Sequence, residues 1–130
     1  MSFDPSRYAE LFRTESREQL VSINRALLLL EQGGDPAEPV RVVFRALHTM
    51  KGMSATMGYH AVAEFAHEVE SVLDRVRRGE QEVSRELTDA LFASADALES
   101  GLESASEGAE RTPAMASASR RRSSRSRVRV

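Results

Sequence analysis

The sequence predicts an all-α fold, an antiparallel up-down four-helix bundle followed by a basic tail. Four segments carry apolar residues at the spacing of an amphipathic helix. Glycine and proline residues separate these segments by short loops, and no segment shows the strict apolar–polar alternation of a strand. Because short loops place consecutive helices side by side and antiparallel, four such helices predict a bundle around one core.

The first two helices are bounded by residues with strong conformational preferences. Asp4-Pro5 opens the first helix, because aspartate caps free backbone N–H groups and proline suits the first helical position. Gly33 closes it, Asp35-Pro36 marks the next start, and Gly58 ends the second helix. The apolar positions are Tyr8, Leu11, Phe12, Leu20, Ile23, Leu27 and Leu30 in the first helix, and Val40, Val43, Leu47, Met50, Ser54 and Met57 in the second.

The third and fourth helices follow the same pattern. Gly79 ends the third, and Ser84 begins the fourth with Glu86 in its first turn, where negative charge is favoured. The periodicity fades after Leu102, so the segment 103–110 either extends the helix or frays. The apolar positions are Val62, Phe65, Ala66, Val69, Val72, Leu73 and Val76, then Leu87, Leu91, Ala95, Leu98 and Leu102.

Charge divides the chain into two segments. Residues 1–110 hold 11 basic and 20 acidic side chains, a net charge of −9, whereas residues 111–130 hold seven arginines and no acid. We therefore predict a helical domain over 1–110 and a disordered Arg/Ser-rich tail or linker over 111–130, which lacks an apolar period. Arginines attract phosphates, but no aromatic or folded element supports specific nucleic-acid recognition.

Composition excludes several classes of protein. The chain has no cysteine, so disulfides and thiolate chemistry are ruled out. Its N-terminus has neither the basic start nor the apolar run of a signal peptide. The longest apolar run, 26–30, is far shorter than the roughly 20 residues that span a bilayer. We expect a soluble, cytoplasmic protein with no membrane insertion.

A histidine in the second helix is the candidate functional residue. His48 lies off the apolar stripe, with Lys51, the only lysine in the chain, and Gly52 in the next turn. Imidazole is a nucleophile near neutral pH, and its Nε2 can attack a phosphoryl group. Lys51 would attract the phosphoryl oxygens, and Gly52 would leave the approach open. The pattern predicts that His48 is a phosphoryl carrier.

The third helix supplies a second cluster, His67 and Glu70, three residues apart on one side. Glu70 is suited to accept the proton of His48 Nδ1, which would fix the tautomer that leaves Nε2 free. This contact requires the two helices to be neighbours in the right register. Since neither His48 nor Glu70 lies on an apolar stripe, we expect the bundle to tolerate replacement of either.

Other interpretations of these residues remain open. Lys51, His67 and Glu70 are also compatible with an ordinary solvated surface, and Gly52 with close helix packing. Glu64-x-x-His67 has the spacing of a di-iron ligand pair, but such sites need two pairs and further inward carboxylates. We therefore expect no metal site.

The segment Phe44-Arg-Ala-Leu-His-Thr-Met-Lys-Gly52, with Met57-Gly-Tyr59 and the stretch from His67-Glu-Val-Glu70 to Arg77-Arg-Gly79, resembles a known family. The chain is similar, over about residues 4–105, to the histidine phosphotransfer (HPt) domain of the bacterial chemotaxis kinase CheA. The resemblance implies that the CheA ATP-binding domain phosphorylates His48 and that response regulators of the CheY and CheB type accept the group on an aspartate.

The resemblance also assigns roles to the neighbouring residues. It implies a hydrogen-bond network of Lys51, His67 and Glu70 around the acceptor, with Phe44, Arg45 and Gly52 serving binding and access. No cofactor is expected in this chain, since it has no glycine-rich nucleotide loop, and ATP and Mg²⁺ would belong to the partner kinase domain. Whether the chain counts as an enzyme is left open.

Two features depart from the resembled family. Its kinase, dimerisation and coupling domains are absent from the sequence, so we expect that the chain cannot phosphorylate itself. Its fifth helix is not clear in residues 103–130, where it is either short or replaced by the basic tail. The alternatives are a stand-alone phosphorelay carrier outside chemotaxis and a non-catalytic helical interaction domain.

Overall fold

The fold is known from a computed structural model that describes residues 5–109, with side chains described for residues 7–107. It consists of four helices, α1 (Pro5–Gln32), α2 (Ala37–Met57), α3 (His60–Arg77) and α4 (Arg85–Ser104), and a π-helical turn (Ala105–Ala109). No strand occurs within this described range. The predicted all-α four-helix bundle is confirmed.

The helices pack in cyclic order around one core. Helix α1 packs against α2 and α4, and α3 packs against the same two, with the α2–α3 contact the most extensive. The core residues come from all four helices, as the sequence periodicity predicted. The largest fully buried side chains are Leu27, Val43, Leu47, Met50, Ser54, Leu73 and Leu98.

The helix ends agree with the sequence signals. Gly33, Gly58 and Gly79 all have positive φ, at 86°, 81° and 77°, in the left-handed region that glycine adopts without a steric penalty. The Ser84 side chain caps α4 by accepting a hydrogen bond from the Leu87 amide at 3.0 Å. The predicted cap at Asp4 and the predicted tail at 111–130 lie outside the described residues.

One predicted core position is wrong. Leu11 is 56% exposed, whereas its neighbour Phe12 is buried. The Phe12 ring meets Tyr59 edge to face, with centroids 5.1 Å apart. Because successive residues are about 100° apart around a helix, Phe12 occupies the position facing the core and turns Leu11 toward water.

The sequence left open whether α4 extends beyond Leu102 or frays there. The helix continues to Ser104 and then widens into the π-helical turn, in which Ala105 is still buried. None of the helices in the described range is both long enough and apolar enough to cross a membrane.

Candidate functional site

The turn between α2 and α3 brings the two predicted clusters together. Gly58 ends α2 in the left-handed conformation, and the Tyr59 amide donates to the Ser54 carbonyl at 2.8 Å. The chain therefore reverses within two residues, and α3 runs back along α2. In this register His48 of α2 faces Glu70 of α3.

Glu70 lies at the centre of the site and contacts both predicted partners on α2. Its Oε2 accepts a hydrogen bond from His48 Nδ1 at 2.7 Å. Its Oε1 lies 2.8 Å from Lys51 Nζ, but off the angles of a hydrogen bond, so this contact is an ion pair. His67 Nδ1 is 3.7 Å from the same Oε1, beyond hydrogen-bond distance. The structure thus brings all four predicted residues together, with His67 at the edge.

The charge state of Glu70 follows from these contacts. Burial alone raises the pKa of Glu70, but the contacts with Lys51 and His48 outweigh burial and hold the pKa below its usual value. Glu70 is therefore ionised at neutral pH and only accepts hydrogen bonds. His48 Nδ1 must then carry the proton in this contact, so the neutral form of the ring has its lone pair on Nε2.

His48 differs from Lys51 and Glu70 in how far its side chain is exposed. The side chain of His48 is 65% exposed and that of Lys51 29%, whereas that of Glu70 is 9% exposed. The buried carboxylate holds one edge of the imidazole, and the rest of the ring faces solvent with the Lys51 ammonium nearby. A nucleophilic nitrogen, an adjacent cation and a fixed tautomer are what acceptance of a phosphoryl group requires.

Gly52 is not explained by helix packing. It is exposed, and a Cβ built on it would meet nothing within 4 Å. The packing interpretation left open by the sequence therefore has no support. The glycine instead leaves open space one helical turn from His48, and its role in access stays a prediction.

The other two residues assigned to access lie one turn before His48 and differ in exposure. Arg45 is exposed. Phe44 is half-buried, and the guanidinium carbon of Arg77 lies 4.3 Å from its ring centroid. Sequence reasoning missed Arg77 as a partner. The antiparallel register places the last turns of α3 opposite Phe44, but which side chain covers the ring depends on how the two helices pack.

The expectation that Glu70 lies away from the buried face is wrong. The residue is 7% exposed and buried beside Val69 on α3. It follows Ala66 and precedes Leu73 by about one turn each, so it lies at the edge of the apolar face that α2 covers. Helical periodicity could not show this, because burial at an edge depends on how the neighbouring helix packs.

The described part of the chain gives no support to a metal site. Within it, no group of three or more histidine, aspartate or glutamate side chains is placed to hold an ion. Glu64 and His67, the pair with di-iron spacing, are both exposed instead of facing the bundle interior. His67 Nδ1 lies 3.7 Å from Glu70 Oε1, beside the contacts that Glu70 makes with His48 and Lys51.

Comparison with known proteins is consistent with this geometry. The Hpt domain family matches residues 7–108. The chemotaxis protein CheA of Bacillus subtilis is 43% identical over 107 residues, which are 82% of this chain and 16% of the relative. The chain thus spans about a sixth of the length of that protein.

Two solved structures are similar in both fold and sequence. The CheA phosphotransferase domain from Thermotoga maritima aligns with a TM-score of 0.70 and 36% identity, over 75% of this chain and 92% of that one. The phosphorylated P1 domain of CheA3 from R. sphaeroides, solved in complex with CheY6, gives 0.75 and 29%, over 78% and 80%. With a family match over nearly all of the described residues, the chain belongs to the Hpt domain family.

Proposed function

We propose that this chain is the phosphoryl-carrier module of a two-component chemotaxis system, with His48 as the acceptor. One observation carries the proposal: His48 donates its Nδ1 proton to the buried Glu70 at 2.7 Å while its side chain is 65% exposed. This arrangement leaves Nε2 as the free nucleophile. The similarity to CheA proteins and to a phosphorylated CheA P1 domain supports it.

The proposed loading step uses ATP and Mg²⁺ held by the kinase domain of a CheA protein. The lone pair of His48 Nε2 attacks the γ-phosphorus, the bond from that phosphorus to the β–γ bridging oxygen breaks, and ADP leaves. The ring now carries a positive charge with its proton still on Nδ1. Glu70 stabilises this charge, and Lys51 attracts the oxygens of the new phosphoryl group.

The proposed transfer step runs to a response regulator of the CheY or CheB type. A carboxylate oxygen of an aspartate on the regulator attacks the phosphorus, the N–P bond breaks, and its electron pair returns to Nε2. The R. sphaeroides complex supports this partner class, because it joins a phosphorylated P1 domain to CheY6. Gly52 and the exposed Arg45 flank the path by which such a partner would approach. We place the domain in the cytoplasm, where the ATP donor acts.

The chain offers a sharp test because it has three histidines. The protein is incubated with a CheA kinase core and ATP labelled on the γ-phosphate, next to His48→Gln and the matched control His60→Gln. We expect an acid-labile, base-stable label on wild type and His60→Gln, and none on His48→Gln. Retention of the label by His48→Gln would refute the assignment of the acceptor.

The same assay separates the alternatives. Addition of a CheY-type regulator should move the label from the chain to the regulator within the time of mixing. Loading without transfer to any chemotaxis regulator would favour a phosphorelay carrier outside chemotaxis. No loading by an active kinase core would favour a non-catalytic helical interaction domain.

A further inference from the structure

Arg77 is the last residue of α3, and it is held in place on two sides. Its Nη2 lies 2.7 Å from Asp74 Oδ1, and its guanidinium carbon lies 4.3 Å from the centroid of the Phe44 ring on α2. The other carboxylate oxygen of Asp74 is paired with Arg78 at 3.0 Å. The planar guanidinium is thus oriented by a carboxylate and placed over an aromatic face, which a cation favours.

We infer that Arg77 is a positioning residue for the acceptor histidine, acting through Phe44 to hold α3 in the register that brings Glu70 to His48. The inference rests on the proposed function of His48, and it adds a residue outside the hydrogen-bond network. We call Phe44, Asp74 and Arg77 the Arg77 clamp.

The clamp and the Glu70 contacts hold the two helices at separate points. Phe44 precedes His48 by four residues, about 6 Å along α2, and Arg77 follows Glu70 by seven, about 10 Å along α3. Among the described residues, these are the polar and cation–π contacts that join α2 to α3 directly. Beyond the apolar packing that α2 and α3 share, a second polar point of contact further limits sliding and rotation of α3.

The hydrogen bond at His48 is sensitive to such movement. Nδ1 and Oε2 are 2.7 Å apart, and a displacement of about 0.8 Å would take them beyond hydrogen-bond distance. His48 would then populate the tautomer with the proton on Nε2, which has no lone pair there for attack. The clamp pins the C-terminal turn of α3, where helices tend to fray, and so limits this displacement.

Arg75 in the same turn supplies a matched control. It is also basic and exposed, and it also lies in the last turn of α3, where it complements the helix dipole. Within the described residues, however, its side chain takes part in no ion pair or ring contact. Arg75→Gln therefore removes the same charge from the same turn without touching Phe44.

The test compares Arg77→Gln, Arg77→Lys, Phe44→Leu and Arg75→Gln with wild type. Two-bond ¹H–¹⁵N spectra of the histidine rings report which His48 nitrogen carries the proton, and the initial rate of loading by a CheA kinase core reports function. We expect Arg77→Gln and Phe44→Leu to populate the Nε2–H tautomer and to slow loading about two- to fivefold, the size of a surface cation–π contact. Arg77→Lys keeps the positive charge, so it should change the His48 tautomer and the loading rate less than Arg77→Gln does. Arg75→Gln should change neither the tautomer nor the rate.

Each result decides between separate claims. If Arg77→Gln and Phe44→Leu match Arg75→Gln in both spectra and rate, the clamp has no positioning role. Loss of rate with an unchanged His48 tautomer would also overturn the inference, since Arg77 would then act on the partner. Failure of wild type to load would refute the proposed function, but the spectra would still test the clamp.

Discussion

Two interhelical seams of the bundle use similar residues with different results. The α2–α3 seam buries Glu70 between His48 and Lys51. The α1–α4 seam has an open groove with charged residues on both sides, yet none of them forms an ion pair within the described residues. The groove is lined by Phe12, Arg13, Ser16, Arg17, Leu20, Glu99, Leu102, Glu103 and Ser106.

The two seams differ in burial more than in the presence of charged residues, and the buried carboxylate is the one that contacts His48 and Lys51. Charges at the α1–α4 rim stay in water, where an ion pair contributes little to stability. Glu70 is shielded from water, so its contacts are stronger and hold the His48 ring in one orientation. In the proposed function, the bundle contributes by burying one carboxylate at the edge of its core.

The largest effect should come from replacing the buried carboxylate of the α2–α3 seam with alanine, and the same replacement at the α1–α4 seam is its control. Glu70→Ala removes the acceptor of the Nδ1 proton and should slow loading of His48 by about 100-fold or more, since loss of the orienting carboxylate costs a serine protease about 10⁴-fold. Glu103→Ala, in the α1–α4 groove, should load at the wild-type rate. Initial rates with a CheA kinase core measure both.

Circular dichroism is the necessary control for this pair, because Glu70 is buried and its loss leaves a small void. Rates should be compared at a temperature at which both variants are folded. A folded Glu70→Ala protein that loads as fast as Glu103→Ala would show that the two seams are equivalent for the reaction.

The sequence predicted most of the fold because each helix carries its own signals. Apolar periodicity, the cap at Ser84 and the glycines after the helices specify four elements without reference to their neighbours. The short turn at Gly58 then makes α2 and α3 antiparallel, which is enough to place His67 and Glu70 near His48. The residue types and their spacing predicted that part of the site.

What the sequence could not predict depends on contact between helices. The burial of Glu70, the exposure of Leu11 and the position of Arg77 over Phe44 all depend on how one helix rotates against the next. Periodicity gives the direction of an apolar face to within about one residue, and these three residues lie at the edges of such faces. Their environment is therefore a property of the pair of helices.

The next effect concerns pH and tests whether Glu70 is ionised in the folded state. Its folded-state pKa lies below the usual value, so the ionised form stabilises the fold above the pKa of the unfolded chain. This contribution is lost as the pH falls through the folded-state pKa. The free energy of unfolding of wild type minus that of Glu70→Gln should therefore shrink as the pH falls below about 5.5.

Lys51 provides the internal check on that prediction. Its ion pair helps to lower the pKa of Glu70, whereas burial raises it. Replacement by methionine should therefore bring the folded-state pKa closer to that of the unfolded chain and make the loss of stability at low pH smaller. Urea titrations of wild type, Lys51→Met and each Glu70→Gln counterpart measure the change. A difference that does not depend on pH would show that Glu70 is not held ionised by its partners.

Two helical glycines extend the comparison to backbone positions. A Cβ on Gly52 would meet open space, whereas a Cβ on Gly101 of α4 would lie 3.3 Å from Val62 Cγ2. Gly52→Ala should therefore stabilise the bundle by nearly the full helix-propensity gain, about 1 kcal/mol, and Gly101→Ala by less. Thermal and urea unfolding measure both.

Loading assays on the same two variants separate stability from access. The methyl group of Gly52→Ala would stand one turn from His48, so we expect this more stable protein to load more slowly. Gly101→Ala should load normally. A Gly52→Ala protein that is more stable and loads at the wild-type rate would remove the access role from this glycine.

The smallest effect is expected at Ser16, on the α1–α4 seam. Its hydroxyl is buried, with the residue 3% exposed, and has no hydrogen-bond partner in the described structure. An unsatisfied buried hydroxyl is unfavourable, and alanine is the better helix former, so Ser16→Ala should stabilise the fold by about 0.5–1 kcal/mol. Loading of His48 should not change, because the substitution lies on the other seam. A loss of stability would instead show that the hydroxyl is satisfied in solution, by water or a ligand in the groove, and that this seam also depends on a buried polar contact.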